Sequence, residues 1–301
     1  MKVVVTGGAG FIGSHIVDRL IREHHEVVVI DDLSTGLLEN VNPQAELLNL
    51  DIARRGNWSA LEGCDVVFHE AALPRIEYSL KRPYQTFRAN VAVTAKILEM
   101  ARTAKVKRVV YASSSSVYGT QLEPPVSESS RCNPSSPYAS QKYMGELMCR
   151  YYSQHLGLDT VCLRYFNVYG ERQSATGAYK LVLKIFLDSK AQGRPLTIYG
   201  DGKQTRDFTH VSDVVEANML AMKCSGKLAG AAINIGTGVE TSVNRIAELI
   251  GGKTEHIHPN PRAAFEERRK SADINTAIQL LGWRPKVKIE EGIAMLLRNK
   301  K

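Results

Sequence analysis

The sequence predicts an α/β fold, a doubly wound parallel sheet with helices on both faces, and two observations carry that reading. Short apolar, β-branched runs alternate with longer amphipathic stretches through the first half of the chain, which is the pattern of strand–helix–strand units. The runs are apolar along their whole length rather than at every second residue, as strands covered on both faces must be. With 301 residues, 44% hydrophobic and 23% charged, the chain can bury an ordinary core, and disordered and fibrous classes are excluded.

Strands are expected at Lys2–Thr6, Glu26–Ile30, Ala45–Leu48, Asp65–His69, Lys107–Ala112 and Thr160–Arg164. Between them, helical spacing of apolar residues runs over Ile12–Arg22, Tyr84–Ala104 and Tyr138–His155. The last has a clear start, because Ser136 can cap it and Pro137 suits a first helical turn. Past residue 165 the loops lengthen and the strands shorten (Leu196–Tyr199, Ala232–Ile235), with helices at Val211–Cys224 and Asn275–Leu281. Residues 1–165 are therefore read as one domain and 166–301 as a smaller lobe whose chain crosses back to it. No Gly/Ser/Pro-rich linker separates them, so a cleft between the two is expected.

The net charge is +8. Its densest patch, Arg262–Lys270, reads first as a solvated surface and second as a site for a phosphate-bearing small molecule. A nucleic-acid binder would need a clustered basic face, and none is present. The five cysteines lack paired or metal-like spacing, as expected for reduced, cytoplasmic usage. His256 and His258, in a Pro-containing loop, read as exposed polar residues, and no metal is expected. No stretch approaches the ~18 apolar residues of a membrane span, and Met1–Thr6 runs into a glycine turn rather than a secretory leader.

That turn is the first motif with chemistry. In Thr6-Gly7-Gly8-Ala9-Gly10-Phe11-Ile12-Gly13 a strand ends, glycines fall at i, i+3 and i+6, and a helix begins. Gly7 permits the tight turn, Gly10 lets a pyrophosphate approach the backbone, and Gly13 lets helix pack on strand. The helix N-terminus, opened by Phe11 and Ile12, offers free N–H groups and a positive dipole end to phosphates. Asp31, 18 residues past Gly13, has the spacing of a ribose-diol acceptor. Together with its neighbour Asp32, it favours NAD over a 2′-phosphorylated cofactor. The fold is thus Rossmann-like. Asp51-Ile52, after the third strand, would lie near adenine, although an aspartate there can equally cap a helix. Ala71-Ala72, closing the fourth strand, would let the nicotinamide ribose and pyrophosphate rest on the backbone.

The catalytic signal is Tyr138-Ala139-Ser140-Gln141-Lys142. Positions i and i+4 share a helix face, so an ammonium stands beside the phenol, lowers its pKa and fits it to act as a base. Four serines, Ser113–Ser116, follow the fifth strand at the edge where open α/β sheets bind ligands, and read as hydroxyls facing a substrate.

These motifs resemble the extended short-chain dehydrogenase/reductase family, and within it the NAD-dependent nucleotide-sugar epimerases of the UDP-glucose/UDP-N-acetylglucosamine 4-epimerase type. The likeness runs nearly end to end. It takes in the glycine turn, the serine run and Tyr138/Lys142, then Leu163-Arg164-Tyr165-Phe166-Asn167-Val168-Tyr169-Gly170 and Leu196-Thr197-Ile198-Tyr199-Gly200-Asp201-Gly202. It continues through Gln204-Thr205-Arg206-Asp207-Phe208, Ala272-Asp273-Ile274 and Leu281-Gly282-Trp283-Arg284-Pro285.

The resemblance implies that Ser114, or its neighbour Ser115, assists Tyr138, and that Lys142 bridges the nicotinamide ribose while tuning the phenol. It also implies that residues 166–301 form a nucleotide-sugar lobe. Asn167 would contact the sugar diphosphate and Arg206 its phosphates, with a second phosphate arginine within Arg262–Arg269, here taken as Arg269. Dehydratases of the family carry Asp-Glu after the catalytic hydroxyl residue; Ser115 and Ser116 stand there instead. Arg75 either faces solvent, paired with Glu77, or enters the sugar pocket. The pocket's gate falls at Lys270-Ser271, where a small serine and a lysine able to swing away would admit an acetamido group. The implied activity is 4-epimerisation of a UDP-sugar through a 4-keto intermediate, by a homodimer joined through Tyr84–Ala104 and Tyr138–His155. The rivals are a UDP-glucuronate 4-epimerase or decarboxylase of the same fold, and a non-catalytic NAD sensor.

Overall fold

The computed structural model describes residues 1–54, 58–74, 76–120, 123–173, 182–259 and 268–298. The chain begins β1 (Lys2–Thr6), α1 (Phe11–Arg22), β2 (Glu26–Asp31), β3 (Glu46–Asn49) and β4 (Val66–His69). It continues through α2 (Ile76–Lys81), α3 (Pro83–Phe87), α4 (Val93–Thr103), β5 (Arg108–Ser114), α5 (Pro137–His155) and β6 (Asp159–Tyr165). The second half holds β7 (Val168–Tyr169), α6 (Val182–Ala191), β8 (Leu196–Tyr199), β9 (Thr205–Arg206), β10 (Thr209–His210) and α7 (Val211–Lys223). It closes with β11 (Ala231–Ile235), β12 (Thr241–Ser242), α8 (Val243–Ile250), β13 (Thr254–Ile257), α9 (Asn275–Leu281) and α10 (Ile289–Arg298).

Seven parallel strands form the central sheet in the order β11-β6-β5-β4-β1-β2-β3. Alternation along each strand divides the core. Val3, Val5, Val27 and Val29 pack with α1 and α7, while Val4, Val28 and Ile30 pack with α4 and α5. A third cluster draws on α6, β8, α8 and α10 of the second half of the chain.

Three differences from the sequence reading matter for the site. First, β5 and β6 run on to Ser114 and Tyr165, so the first two serines of the run are sheet residues. Second, β11 comes from the second half of the chain but pairs with β6 in the main sheet. Third, the single helix expected over Tyr84–Ala104 is α3, a π-helical turn at Arg88–Ala92, and α4. The wide turn coincides with buried Asn90. Its amide accepts from Leu73 N–H at 2.7 Å and donates to the Gln141 amide oxygen on α5 at 2.9 Å. A side-chain demand inside a helix is a common cause of such a turn.

At the amino ends of β5 and β6, buried Arg108 pairs with Asp159 at 2.7 Å and donates to the carbonyls of Ala221 and Cys224 at 2.7 and 2.8 Å. The guanidinium thereby satisfies the open carbonyls at the end of α7. Among the described residues no helix is long and apolar enough to cross a membrane.

Candidate active site

The site grows from the carboxyl ends of the strands. β1 turns at Gly7 with φ +73°, and a Cβ there would lie 2.6 Å from the Ala71 nitrogen, so only glycine fits. A Cβ on Gly13 would collide with the Gly7 carbonyl. Gly10 differs: its backbone is extended, and a Cβ would meet only the Gly7 oxygen at 3.1 Å. As the N-cap of α1 it offers no side chain to the first-turn amides, and Phe11 and Ile12 are partly buried against the α1/α7 core. This cradle, open at Gly10 and closed at Gly7 and Gly13, fits a pyrophosphate on a helix N-terminus.

Asp31 ends β2, buried, with Oδ2 accepting from Ala9 N–H at 3.0 Å and Oδ1 from Leu33 N–H at 2.9 Å. Burial raises its carboxyl pKa and the two amides oppose the rise. Each oxygen keeps a lone pair for a ribose hydroxyl. Asp32 instead is exposed and accepts from Ser34 N–H at 3.0 Å. Asp51 accepts from Ala53 N–H at 2.8 Å and pairs with exposed Arg54 at 3.3 Å, a turn-capping arrangement. Ile52 is buried, and its carbonyl accepts from Lys96 at 2.7 Å. Ala71 donates its N–H to the Thr6 hydroxyl at 3.3 Å, and Ala72 follows it, partly buried.

On α5, Ser136 caps the helix by accepting from Ala139 N–H at 3.2 Å, and Pro137 opens its first turn. Tyr138 is buried, its backbone N–H donating to the Ser79 hydroxyl of α2 at 3.1 Å. Lys142 is buried too. Its ammonium donates to the Ala112 carbonyl of β5 at 2.6 Å and stands 5.0 Å from the centre of the Tyr111 ring. Burial pulls its pKa down, and the Glu70 carboxylate is the largest opposing influence.

The serine run is divided by the pleat. Ser113 donates to Glu146, the buried partner of Arg164 at 2.7 Å, and so belongs to the packing between sheet and α5. Ser114 accepts from Ser116 N–H at 3.2 Å and its hydroxyl at 2.9 Å, which leaves its own hydroxyl proton to donate elsewhere. Ser115 is buried behind it.

The residues expected to hold the substrate stand on separate segments. Asn167 follows β6, its carbonyl accepting from Thr209 N–H at 3.2 Å. Arg206 on β9 is half-buried and donates to the Thr205 carbonyl at 2.7 Å. Arg269 is exposed and bonded through two nitrogens to Glu240, at 3.0 and 2.6 Å. It would have to leave that pair to reach a diphosphate. Arg75 and Arg262 lie outside the described residues. At the gate, Ser271 is buried, but so is Lys270. The expectation of a lysine free to swing away is therefore corrected: its segment is pinned where Ser271 and Ala272 join Val126 and Asp207.

Sequence reasoning missed two carboxylates. Asp207 is buried and accepts from Thr237 N–H at 2.7 Å, Gly238 N–H at 2.9 Å and Ala272 N–H at 3.0 Å, tying three segments of the second half of the chain together beside Arg206. Glu70 accepts from the Tyr165 hydroxyl at 2.8 Å, and burial raises its carboxyl pKa. Its signal was visible as an acid directly after the apolar run Val66–His69. Among the described residues no cluster of potential ligands could hold a metal.

Comparison with known proteins adds the following. A model of the NAD dependent epimerase/dehydratase family matches residues 3–236. A UDP-glucose 4-epimerase of Mycolicibacterium smegmatis is 40% identical over 307 residues, 98% of this chain and 96% of the relative. The UDP-N-acetylglucosamine 4-epimerase of Methanobrevibacter ruminantium, solved with UDP-N-acetylmuramic acid, superposes with TM-score 0.92 at 33% identity, over 99% of this chain and 98% of that one. The UDP-glucuronic acid 4-epimerase of Bacillus cereus, solved with UDP-glucuronic acid and NAD, gives TM-score 0.87 at 32% identity, over 98% and 97%. Relatives also include a UDP-N-acetyl-alpha-D-glucosaminuronate decarboxylase of Bacillus cytotoxicus, 33% identical over 97% of this chain and 95% of the relative.

Proposed function

The chain belongs to the NAD-dependent epimerase/dehydratase family, and on that premise we propose that it inverts C4 of a UDP-linked sugar. The observation that supports this most directly is the Lys142 ammonium bonded to the Ala112 carbonyl of β5, one helical turn along α5 from Tyr138, with Ser114 ending the same strand and Ser115 and Ser116 standing where water elimination would need two acids.

NAD is the cofactor, and when bound it supplies the acceptor and donor of the C4 hydrogen. The glycine cradle holds its pyrophosphate and Asp31 its adenosine ribose. Tyr138 takes the proton of the sugar 4-hydroxyl, the Lys142 ammonium favouring the phenolate. The Ser114 hydroxyl donates to the same sugar oxygen. Arg206 and Asn167 hold the diphosphate, with Arg269 reaching it once freed from Glu240. Binding energy spent on the nucleotide keeps the ketone in the cleft while the sugar ring turns over.

For the sugar, we favour UDP-N-acetylglucosamine and its galacto epimer alongside UDP-glucose and UDP-galactose. The small Ser271 supports room beside C2, and Lys270, held with its segment, no longer contributes to that argument. If Arg75 faces inward, it adds a donor for an acetamido carbonyl. A decarboxylase acting on a UDP-uronic acid is the second reading, favoured by the relative named above. For the assembly we favour a homodimer. Leu80, Tyr84 and Phe87 on α2 and α3 are exposed, as are Met144, Leu147 and Tyr151 on α5, and such adjoining apolar faces mark protein interfaces.

The deciding experiment incubates the protein with UDP-glucose, UDP-galactose, both UDP-N-acetylhexosamines and UDP-glucuronate, without added NAD, and separates the products. Interconversion within a C4 pair supports the proposal; release of carbon dioxide from the uronate, with no epimer, refutes it.

A further inference from the structure

The Glu70 carboxylate has no part in the mechanism above, yet it stands at the redox end of the site. The predicted contacts run along one sheet edge, from Asp31 on β2, across Gly7 after β1 and Ala71 after β4, to Ser114 on β5. Three strand spacings make ~14 Å, the reach of a dinucleotide laid across the tips. A cofactor with its adenosine at Asp31 therefore brings its nicotinamide to the tips of β4 and β5. Glu70 is the residue between β4 and Ala71. Its N–H donates to the Thr6 carbonyl at 3.1 Å, and a Cβ on Gly7 would lie 2.9 Å from its carbonyl carbon.

The surroundings hold the carboxylate in place. The Tyr165 hydroxyl of β6 donates to it at 2.8 Å, and the Asn218 amide of α7 donates to the Tyr165 oxygen at 2.8 Å. The charge that acts on it is the Lys142 ammonium of α5, bonded to the Ala112 carbonyl of the adjoining strand β5, which also acts on His69, Cys149, Cys162 and Glu146. A carboxylate desolvated in this way is costly unless a positive charge answers it. Lys142 is one such charge. The oxidised nicotinamide ring is a second, and its reduced form is neutral.

We propose that Glu70 is a positioning residue whose negative charge answers Lys142 and the oxidised cofactor ring, so that the site holds the oxidised form in preference to the reduced form. The inference rests on the cofactor alone and is independent of which sugar is turned over.

The test is a redox titration of the NAD-loaded protein above neutral pH, where the buried Glu70 carboxyl is ionised despite its raised pKa, following the absorbance of the reduced ring, for wild type, Glu70→Gln, Glu70→Asp and Tyr165→Phe. Glu70→Gln keeps the size and an acceptor for Tyr165 but loses the charge. It should shift the preference toward the reduced form about tenfold, which is about 30 mV more positive for a two-electron couple. Glu70→Asp, which keeps the charge, should restore most of the wild-type potential, and Tyr165→Phe, which removes a donor that favours the carboxylate, should shift it no further than Glu70→Gln. An unchanged potential in Glu70→Gln overturns the proposal. A shift in Glu70→Asp as large as in Glu70→Gln also overturns it, because the length of the side chain rather than its charge would then set the potential. If Glu70→Gln cannot be loaded, the uncharged Glu70→Leu decides in its place: a positive shift supports the proposal and no change overturns it. Wild type that never retains cofactor would instead refute the cofactor assignment.

Discussion

The Thr6 hydroxyl lies 2.7 Å from Nδ1 of His69, across the tips of β1 and β4, and donates its proton to that nitrogen. On the other side Nε2 lies 2.9 Å from the Thr94 hydroxyl, whose own proton is donated to the Asn90 carbonyl at 2.6 Å. Thr94 can therefore only accept from the ring, so Nε2 carries the proton and Nδ1 accepts from Thr6. The ring is neutral, buried, and pushed down to a pKa of about 3, chiefly by burial and secondarily by the Lys142 charge.

This makes stability acid-sensitive. Between the ordinary value of 6.5 and about 3 the unfolded imidazole is protonated and the folded one is not. The unfolded state binds the extra proton, so stability falls as pH drops through this window, by at most about 1.4 kcal/mol per unit. Urea denaturation at a series of pH values should show wild type losing stability toward acid faster than His69→Gln. Parallel curves would mean that the ring titrates alike in both states.

Tyr138→Phe should lower turnover by a factor on the order of 10²–10⁴, the scale of a lost general base, while UDP-sugar affinity stays close to wild type. Steady-state rates and calorimetry separate the two effects. A near-native rate would assign the proton transfer to another group.

The glycines of the cradle should respond differently to alanine. Gly13→Ala drives a methyl into the Gly7 carbonyl and should cost roughly 1–3 kcal/mol of stability, as overpacking does. Gly10→Ala meets only an oxygen at 3.1 Å in an already extended backbone. It should fold with a loss of about 1 kcal/mol or less but bind NAD about tenfold more weakly, because the methyl occupies the phosphate approach. Thermal melts with and without NAD distinguish the two; equal melts and equal NAD shifts would contradict the cradle.

Asp31 should confer a preference for NAD over NADP, since a 2′-phosphate would meet a buried carboxylate already held by two backbone amides. Calorimetry should show much weaker NADP binding in wild type and a narrowed gap in Asp31→Asn. Equal affinities in wild type would remove Asp31 from the ribose site.

The acetyl-sugar preference is tested by the ratio of kcat/KM for UDP-N-acetylgalactosamine and UDP-galactose. Ser271→Tyr should lower it by an order of magnitude or more, as steric exclusion from a tight pocket does. Activity on UDP-galactose with none on the acetylated sugar in wild type would close the gate.

Period, glycine spacing and capping are local properties, and they carried much of the molecule. The uninterrupted apolar runs marked strands buried on both faces, Ser136-Pro137 marked the start of α5, and the turn at Gly7–Gly13 announced the cradle that its own backbone builds. The placing of Tyr138 and Lys142 together on α5 was legible for the same reason, since four residues of helix set them on one face.

What tertiary structure decided are matters between distant segments. The expected long helix breaks at Arg88–Ala92, where Asn90 bonds to Leu73 and to Gln141. The strand Ala231–Ile235 completes the main sheet although its chain belongs to the second half. Lys270 is buried, and Arg269 is held by Glu240, because folding brings chain ends to partners that no spacing rule connects. Glu70 is the sharpest case. In sequence it is a charge after an apolar strand; only the packing of β6 against β5, and of α5 over both, sets Tyr165 and Lys142 around it, since desolvation and Coulomb interaction depend on distance through space rather than along the chain.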